Sequence, residues 1–504
     1  MSDQSNNKKR LVKNTLYMYI RMFFLMLISL YNTRIVLNVL GEVDFGIYNV
    51  VSGFVVLFTF INSAMTTSTQ RSLSYELGKS DGDVRNIFTT CLNLHLLMGV
   101  SIVFLAETVG LWFLNHKMNF PPERMDAVNW VYLFALLSCL SNVLRVPFNA
   151  IIIAHEKMSF YAYVGLIEGV LKLLIVYLLS LFGYDKLIIY SFLMFVVSFL
   201  TTASFVVYSK NKFSHVRFRG TVKKGSYKQI LSFSGWTFFG ALANLGRSQG
   251  ISVMLNTFYG VTINAAIGVA TQVNASVSQF VTGFQQAFNP QLTKAEAAKN
   301  KEYQEDLIVK TAKYSYYILL FFSVPLLYNL DFILDLWLEE YPLYTKELCF
   351  WIIIASLIDS ISGPLWVTIF ATGKIKSYQI SISVLLLLIL PITYICGKIG
   401  LSPYYPYIFY ALLNFFAIFL RLFYLKKNIC FNIRMFVRKV LFPILFVSFP
   451  ILLFCLILPD ENKLVISFVL VLFESFVIAL IGMNKQERKI VYNLFRKKII
   501  KRYD

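Results

Sequence analysis

The side chains of this sequence best suited to chemistry are cations that interrupt long apolar stretches. Five of them are candidates for binding an anion: Arg21, Arg34, Arg145, Lys172 and Arg247. An ionisable group inside a bilayer is costly, so it usually faces a cavity or a partner. Guanidinium and ammonium groups that converge on one cavity would attract an anion, and a phosphate or pyrophosphate matches their donors. Arg421 lies where it can snorkel to the membrane surface, and we set it aside.

Each cation also has a plainer interpretation. Glu168 precedes Lys172 by four residues, so the two could form a neutral pair within one helix. Arg21 and Arg34 could snorkel to the membrane surface. For Arg145 a cavity role and a plainer role are equally open. Arg247 has no acidic residue near it in sequence and lies among polar residues, Asn244 included, which makes it the strongest candidate for a cavity cation.

Two stripes of polar residues at helical spacing predict wet helix faces. The first contains Asn49, Ser52, Thr59, Ser63, Thr66 and Gln70. The second contains Asn264, Gly268, Thr271, Ser278, Thr282, Gln285 and Asn289. Residues three and four apart share one face of a helix. Packing of small residues against a neighbouring helix is the alternative, and it explains Gly and Ser better than Gln and Asn.

Acidic residues inside the apolar stretches are few. Asp359 is the best candidate for a proton or sodium site, with Glu168 second, although either could instead pair with a cation. The four histidines have no metal-ligand spacing, and the sequence has no phosphate-binding P-loop. We therefore expect no catalytic site, no metal and no cofactor, and leave open coupling to a proton or sodium gradient or to the membrane potential.

The elements that position these residues are transmembrane helices. Hydrophobic residues make up 57% of the chain and charged residues 15%, and the mean hydropathy is +0.63. The apolar runs have about the 20 residues that an α-helix needs to cross a bilayer. We predict an all-α integral membrane protein with fourteen spans: 14–38, 47–67, 87–113, 127–153, 159–182, 187–208, 230–258, 262–290, 311–335, 346–371, 378–398, 403–425, 441–459 and 464–483.

The net charge of +20 is distributed as membrane topology requires. If the N-terminus is cytoplasmic, most Lys and Arg residues fall in cytoplasmic segments, with the densest stretches at 210–228, 426–439 and 485–502. This pattern predicts cytoplasmic N- and C-termini and attraction to anionic membrane lipids, and it argues against a nucleic-acid partner.

An internal repeat divides the chain. Pro147, Ala154, Lys157 and Tyr161 recur 217 residues later as Pro364, Ala371, Lys374 and Tyr378. We predict two parallel six-helix bundles, at 1–208 and 230–425, joined by a basic linker at 209–229. Two further helices and a basic tail occupy 426–504. Two such halves with a cleft between them suit alternating access.

Four short motifs resemble a known family. They are Leu40-Gly41 through Phe45-Gly46-Ile47-Tyr48, Ser68-Thr69-Gln70-Arg71, Ala154-His155-Glu156-Lys157-Met158 after Pro147, and Gly363-Pro364 through Ala371-Thr372-Gly373-Lys374. Over about the first 430 residues the chain resembles the polysaccharide-biosynthesis (O-antigen and capsule) flippases of the multidrug/oligosaccharidyl-lipid/polysaccharide (MOP) superfamily, relatives of the lipid II flippases and of MATE drug exporters.

The resemblance implies a central cavity lined by the first, second, seventh and eighth spans. It implies a substrate of undecaprenyl-pyrophosphate-linked oligosaccharide, turned between leaflets of the bacterial cytoplasmic membrane during capsule, exopolysaccharide or lipopolysaccharide assembly, with other membrane proteins of that assembly as potential partners. By motif it transfers a pyrophosphate-binding role only to Arg71, near the inner mouth. In lipid II flippases the last two helices form a lipid-tail groove, a role that is doubtful in other relatives.

Two other functions remain as alternatives. A MATE-like exporter of cations or drugs would need a cavity dominated by carboxylates, whereas cations outnumber them here. A membrane polysaccharide polymerase or glycosyltransferase would need catalytic acids on a sizeable outer loop, and the predicted outer loops are short. The flippase is therefore the leading interpretation, and we do not expect an enzyme.

Overall fold

The computed structural model describes residues 2–58, 60–116, 118, 120–179, 185–214, 216, 222–338, 341–458, 463–485 and 487–488. Within these ranges the chain is helical and contains no strand. It packs as two compact units, residues 1–242 with 286–301 and residues 243–285 with 302–504. The predicted domain boundaries at 208, 229 and 425 stay predictions.

The first unit contains seven complete helices: α1 (Ser2–Phe58), α2 (Phe60–Gly78), α3 (Val84–Leu105), α4 (Leu111–His116), α5 (Met125–Ala154), α6 (Met158–Leu179) and α7 (Lys186–Lys212). A break at Gly41, where φ is 77°, divides α1. A π-helical turn, Ala106–Gly110, joins α3 to α4. The division between the units falls within α8 (Lys224–Tyr259) and α9 (Val261–Ala297).

The second unit contains the later part of α8 and most of α9, and it continues from the start of α10. Its remaining helices are α10 (Lys301–Tyr328), α11 (Leu330–Leu338), α12 (Thr345–Ser360), α13 (Gly363–Ala371), α14 (Lys376–Leu387), α15 (Ile389–Ile399), α16 (Tyr405–Ile429), α17 (Ile433–Phe436), α18 (Phe442–Ile457) and α19 (Lys463–Val477). π-Helical turns follow α17 at Val437–Leu441 and α19 at Ile478–Gly482.

The protein is a multi-span helical membrane protein. In the described part of the chain nine helical segments are long and apolar enough to cross a membrane, or ten if α12 and α13, bent by 42°, form one broken span. Each of the fourteen predicted spans is mostly helical where the structure describes it, with interruptions at Asn329, at 361–362 and at Leu388, and non-helical ends at 403–404, Leu458 and Met483. The segments α8 and α9 fall outside the nine because their polar residues lower the mean hydropathy. The count of fourteen and the topology stay predictions.

Helix boundaries bear out the internal repeat. The helices α5 and α13 end at Ala154 and Ala371, 217 residues apart, and α7 and α16 end at Lys212 and Ile429 with the same offset. Left-handed backbone recurs as well, at Glu156 (φ 58°) and Gly373 (φ 77°). Two helix ends and one left-handed position therefore recur at the repeat offset, although the counterparts of α5 and α6 are each divided into two helices, α12 with α13 and α14 with α15.

Candidate functional site

Three of the predicted residues form one charged group in the first unit. Glu168 on α6 accepts a 2.7 Å hydrogen bond from Lys172 Nζ, one turn along the same helix, and lies 3.4 Å from Arg145 Nη1 on α5. Asn142 Oδ1 accepts a 2.8 Å hydrogen bond from the other guanidinium nitrogen of Arg145. The predicted pair of Glu168 and Lys172 therefore exists, with a second cation added, so the group retains a net positive charge.

Arg21 lies on the same side of α6. Its guanidinium carbon is 4.4 Å from the ring centroid of Tyr161, and its Nε occupies the space that a Cβ would fill at Gly165. Gly165, Glu168 and Lys172 share one helix face, because they are three and four residues apart. Arg21 forms no ion pair with the described residues, and its buried Nε has no hydrogen-bond partner among them. It adds a further uncompensated charge on this face.

Arg71 is a buried cation of α2. Its guanidinium carbon is 4.6 Å from the ring centroid of Tyr75 and 5.2 Å from that of Phe233 on α8, and Glu76 and Glu296 act on its charge. This position is more enclosed than the inner cavity mouth that the resemblance implies. The side chain of Arg34 and all of Thr59 lie outside the described residues.

Arg247 on α8 belongs to the second unit. Asn244, one turn before it, accepts hydrogen bonds of 2.7 Å and 3.2 Å from its guanidinium nitrogens, and the ring of Tyr410 on α16 lies 4.3 Å away. Arg247 forms no ion pair with any described residue. The amide and the ring orient the guanidinium without neutralising it, so its charge stays available to a ligand.

The polar stripe of α9 lies on an exposed face. Thr271 and Thr282 are exposed and Ser278 is half-buried, whereas Val273, Val277 and Val281 are buried on the opposite face. Thr271 and Thr282 donate to carbonyl groups of their own helix, so their hydroxyls need no partner on another helix. Exposure of hydroxyls on a helix with one apolar face favours contact with water.

The ends of the two stripes behave differently. Gln285 is a packing residue, because its amide donates 3.0 Å hydrogen bonds to Ser315 Oγ and to the Ser360 carbonyl oxygen. Asn289 Oδ1 is buried without a hydrogen-bond partner in the described residues. In the first stripe Ser63 is exposed, and Asn49, Ser52, Thr66 and Gln70 are exposed or half-buried.

Asp359 is paired with the cation that the sequence set aside. Arg421 does not snorkel: it is 6% exposed, its Nη1 lies 3.3 Å from Asp359 Oδ1, and its Nε donates a 3.2 Å hydrogen bond to Tyr378 Oη. The Asp359 side chain is still 53% exposed, next to the break between α12 and α13. Packing of α12, α14 and α16 together buries Arg421 and supplies its partners, which is why the expectation of snorkelling is wrong.

Asp359 has a counterpart in the repeat. Asn142 lies 217 residues earlier, and each of the two side chains accepts a hydrogen bond from an arginine. The same repeat position therefore accepts a hydrogen bond from an arginine in both units, as a neutral amide in the first and as a carboxylate in the second. The two arginines, Arg145 and Arg421, do not occupy equivalent repeat positions.

Two further ionic groups of the first unit escaped the sequence analysis. Glu156 accepts hydrogen bonds of 2.9 Å from Gln291 and 2.8 Å from Lys294 on α9. Arg124 donates to Asp44 (3.0 Å) and to Asp185 (3.2 Å), which ties the segment after Gly41 to the start of α7. Sequence signals for Glu156 are its place in the motif after Pro147 and its repeat counterpart Gly373, which indicates a left-handed backbone position.

Comparison with solved structures identifies the fold. A multidrug-resistance MATE family transporter of the MOP superfamily, in an outward-facing conformation, superposes with a TM-score of 0.72 at 14% identity, over 84% of this chain and 96% of that one. A MATE transporter in complex with MaL6 gives 0.71 at 14% identity, over 84% and 96%. A MOP superfamily transporter from Pyrococcus furiosus, whose reversed pocket polarity is said to suggest a different function, gives 0.70 at 13% identity, over 84% and 96%.

No protein-family model and no curated protein matches the sequence. At identities of 13–14% the structural likeness shows the fold alone. The chain therefore has the fold of MATE and MOP transporters, and its substrate has to be argued from its own residues.

Proposed function

We propose that this chain is a MOP-type transporter that moves undecaprenyl-pyrophosphate-linked oligosaccharide from the inner to the outer leaflet of the bacterial cytoplasmic membrane. The observation that carries the proposal is the sign of the charge. Arg21, Arg145 and Lys172 surround one face of α6 that contains a single carboxylate, Glu168. A site with excess positive charge in a membrane protein suits an anionic headgroup.

The residues offer distinct contacts to such a substrate. Arginine binds phosphate oxygens through two parallel N–H bonds, and lysine contributes a point charge. Arg247, held by Asn244 and Tyr410, adds an oriented guanidinium with no carboxylate partner in the described residues. The hydroxyls on the exposed face of α9 suit the polar sugar, while the polyprenyl tail stays in lipid. Alternating access of the two halves would carry the headgroup across.

A MATE-like exporter of cationic compounds is the second candidate. Asp359 favours it, because a half-exposed carboxylate inside a membrane protein suits a cation or a coupling ion. The pairing of Asp359 with Arg421 weakens this argument, since the pair is neutral overall. We keep Asp359 as the candidate site for coupling to a proton or sodium gradient. A polymerase or glycosyltransferase role has no support from the described residues, and we propose no enzymatic activity and no cofactor.

Complementation tests the proposal. The chain is expressed in a bacterium that lacks its own O-antigen flippase, and surface polysaccharide and the leaflet of the lipid-linked repeat unit are measured. We expect restored display, with the intermediate in the outer leaflet, from the wild type and not from Arg247→Ala. The native sugar pathway serves as a second host, because substrate range differs among transporters. Accumulation in the inner leaflet in both hosts, with folded protein in the membrane, would refute the flippase.

Uptake of cationic dyes into inverted membrane vesicles from the same strains tests the second candidate. Ion-driven accumulation of dye that is lost in Asp359→Asn would favour the exporter. Its absence, together with restored display, would leave the flippase alone.

A further inference from the structure

The two C-terminal transmembrane helices are fixed by polar contacts to α10 and to Asn329, the residue that follows it. Tyr316 Oη and Ser448 Oγ of α18 are 2.8 Å apart, and Asn329 donates a 2.7 Å hydrogen bond to Ser467 of α19. Beyond α19, Glu487 forms a buried ion pair with Lys313, at 2.8 Å. These contacts make α18 and α19 an integral part of the second unit.

Glu474 lies on the packed face of α19. Its exposure is 0%, and Leu470 and Ile478, one turn away on each side, are buried with it. Phe468, Leu472 and Phe476 are exposed on the opposite, lipid-facing side. The carboxyl group therefore points into the protein, away from both lipid and water.

Neither carboxyl oxygen of Glu474 has a hydrogen-bond partner in the described residues. A carboxylate that is ionised and unpaired in such surroundings costs many kcal/mol, and in practice the group is neutralised instead. A hydrogen-bonded network or a cation is what buried carboxylates normally have, as Glu487 does with Lys313.

Nearby titratable groups do not supply the missing charge. On α18 the titratable side chain facing Glu474 is that of Cys455, which carries no positive charge. On α10, Tyr317 packs against Gly482, eight residues or about 12 Å beyond Glu474 along a helix, and Tyr314 and Tyr316 are neutral at physiological pH. Lys313 is already paired with Glu487.

We propose that Glu474 is a proton-binding site, occupied in the folded state and buried between the C-terminal helix pair and the rest of the second unit. A proton is the ligand that fits, because a metal ion needs several oxygen, nitrogen or sulfur ligands and the described residues contain no cluster of three His, Cys, Asp or Glu. Release of the proton requires water to reach Glu474, which requires α19 to part from its neighbours. The proton is therefore coupled to the position of this helix pair, whatever the transported substrate.

Infrared spectroscopy of the full-length protein in lipid nanodiscs tests the site. We compare the wild type with Glu474→Gln, the closest neutral mimic of the protonated acid, and with Glu347→Gln as a control at an exposed carboxylate on α12. At neutral pH we expect a carboxylic-acid C=O band in the wild type and in the control that is absent in Glu474→Gln. Identical acid bands in all three proteins would overturn the proposal.

Chemical labelling of the wild type gives an independent measurement that needs no variant. A hydrophobic carbodiimide reacts with protonated carboxyl groups in apolar surroundings, and peptide mapping locates the adduct. We expect labelling of the peptide that contains Glu474, with a yield that falls as the pH rises. A Glu474 peptide that stays unlabelled at acidic and neutral pH, while other carboxyl groups react, would refute the site. Neither experiment depends on transport, so both results can be interpreted even if the flippase proposal fails.

Discussion

Glu156 and Lys294 form an ion pair of 2.8 Å that joins the loop between α5 and α6 to the last turns of α9. The Glu156 side chain is 1% exposed, and its backbone is left-handed, at φ 58°. Its repeat counterpart is Gly373, also left-handed, at φ 77°. A non-glycine residue in this conformation is destabilised by about 1–2 kcal/mol. The first unit retains glutamate in spite of this strain because its carboxylate binds both Gln291 and Lys294.

Removing Lys294 should destabilise the first unit more than removing Glu156. Lys294→Met leaves the buried Glu156 carboxylate without this cation, although the neutral amide of Gln291 still donates to it, and we expect a loss of about 3–5 kcal/mol. Glu156→Gly removes both the charge and the backbone strain, so it should cost about 1 kcal/mol less than Glu156→Ala. Unfolding of the purified variants in detergent measures the three values. Equal losses in Glu156→Gly and Glu156→Ala would contradict the argument from backbone strain.

The ion pairs of Arg124 with Asp44 and Asp185 should make the stability of the protein sensitive to acid. Partial burial acts to raise the pKa of Asp185, but hydrogen bonds from Arg124 and from the amides of Leu187 and Ile188 outweigh it and hold this pKa below its usual value. A carboxyl group with a lowered pKa stabilises the fold above the unfolded-state value of about 3.9, and this stabilisation disappears as the pH falls through the folded-state pKa.

Asp185→Asn isolates the charge, because asparagine caps a helix as well as aspartate does. We expect a lower unfolding midpoint than wild type at neutral pH and a smaller further fall below about pH 4. Thermal unfolding across a pH series provides the measurement. Parallel pH profiles for the two proteins would mean that the ion pair contributes nothing.

Substitutions of Glu168 and of Lys172 should have different effects on stability and on transport. Glu168→Gln leaves Arg145 and Lys172 together without a counter-charge, so we expect it to destabilise the first unit. Lys172→Met retains the pair of Glu168 and Arg145 and should change stability little, yet reduce transport if Lys172 binds the anionic headgroup. Unfolding and surface display are measured on both variants. Full surface display with Lys172→Met would show that Lys172 does not bind the substrate headgroup.

Arg247 should matter more for transport than for folding, because no described carboxylate forms an ion pair with it. Loss of a hydrogen bond to a charged phosphate costs about 1.5–3 kcal/mol, or roughly a tenfold or greater fall in affinity. Asn244→Ala is the matched control, since it removes the acceptor that orients Arg247 and keeps the cation. We expect surface display to fall strongly in Arg247→Ala and mildly in Asn244→Ala. Equal display in both variants and wild type would exclude Arg247 from substrate binding.

The sequence by itself determined the helical membrane architecture. Hydropathy and helical spacing are properties of neighbouring residues, so helix was found at every predicted span that the structure describes. The repeat was also visible in the sequence, because the same residue types recur at a fixed offset. In the structure, helices end at the matching residues Ala154 and Ala371. The intrahelical pair of Glu168 and Lys172 was predictable for the same reason, since its two members lie one turn apart.

Only the tertiary structure decided which charges meet. Asp359 and Arg421 are 62 residues apart in the chain, and Glu156 and Lys294 are 138 apart. Such pairs depend on which helices pack together and on how each is rotated about its axis, and a rotation of one residue turns a side chain by about 100°. The free energy of a buried charge is set by the groups within a few ångströms of it. Sequence periodicity therefore located the ionisable residues, and the packing of the helices determined whether each one is paired, buried or available to a ligand.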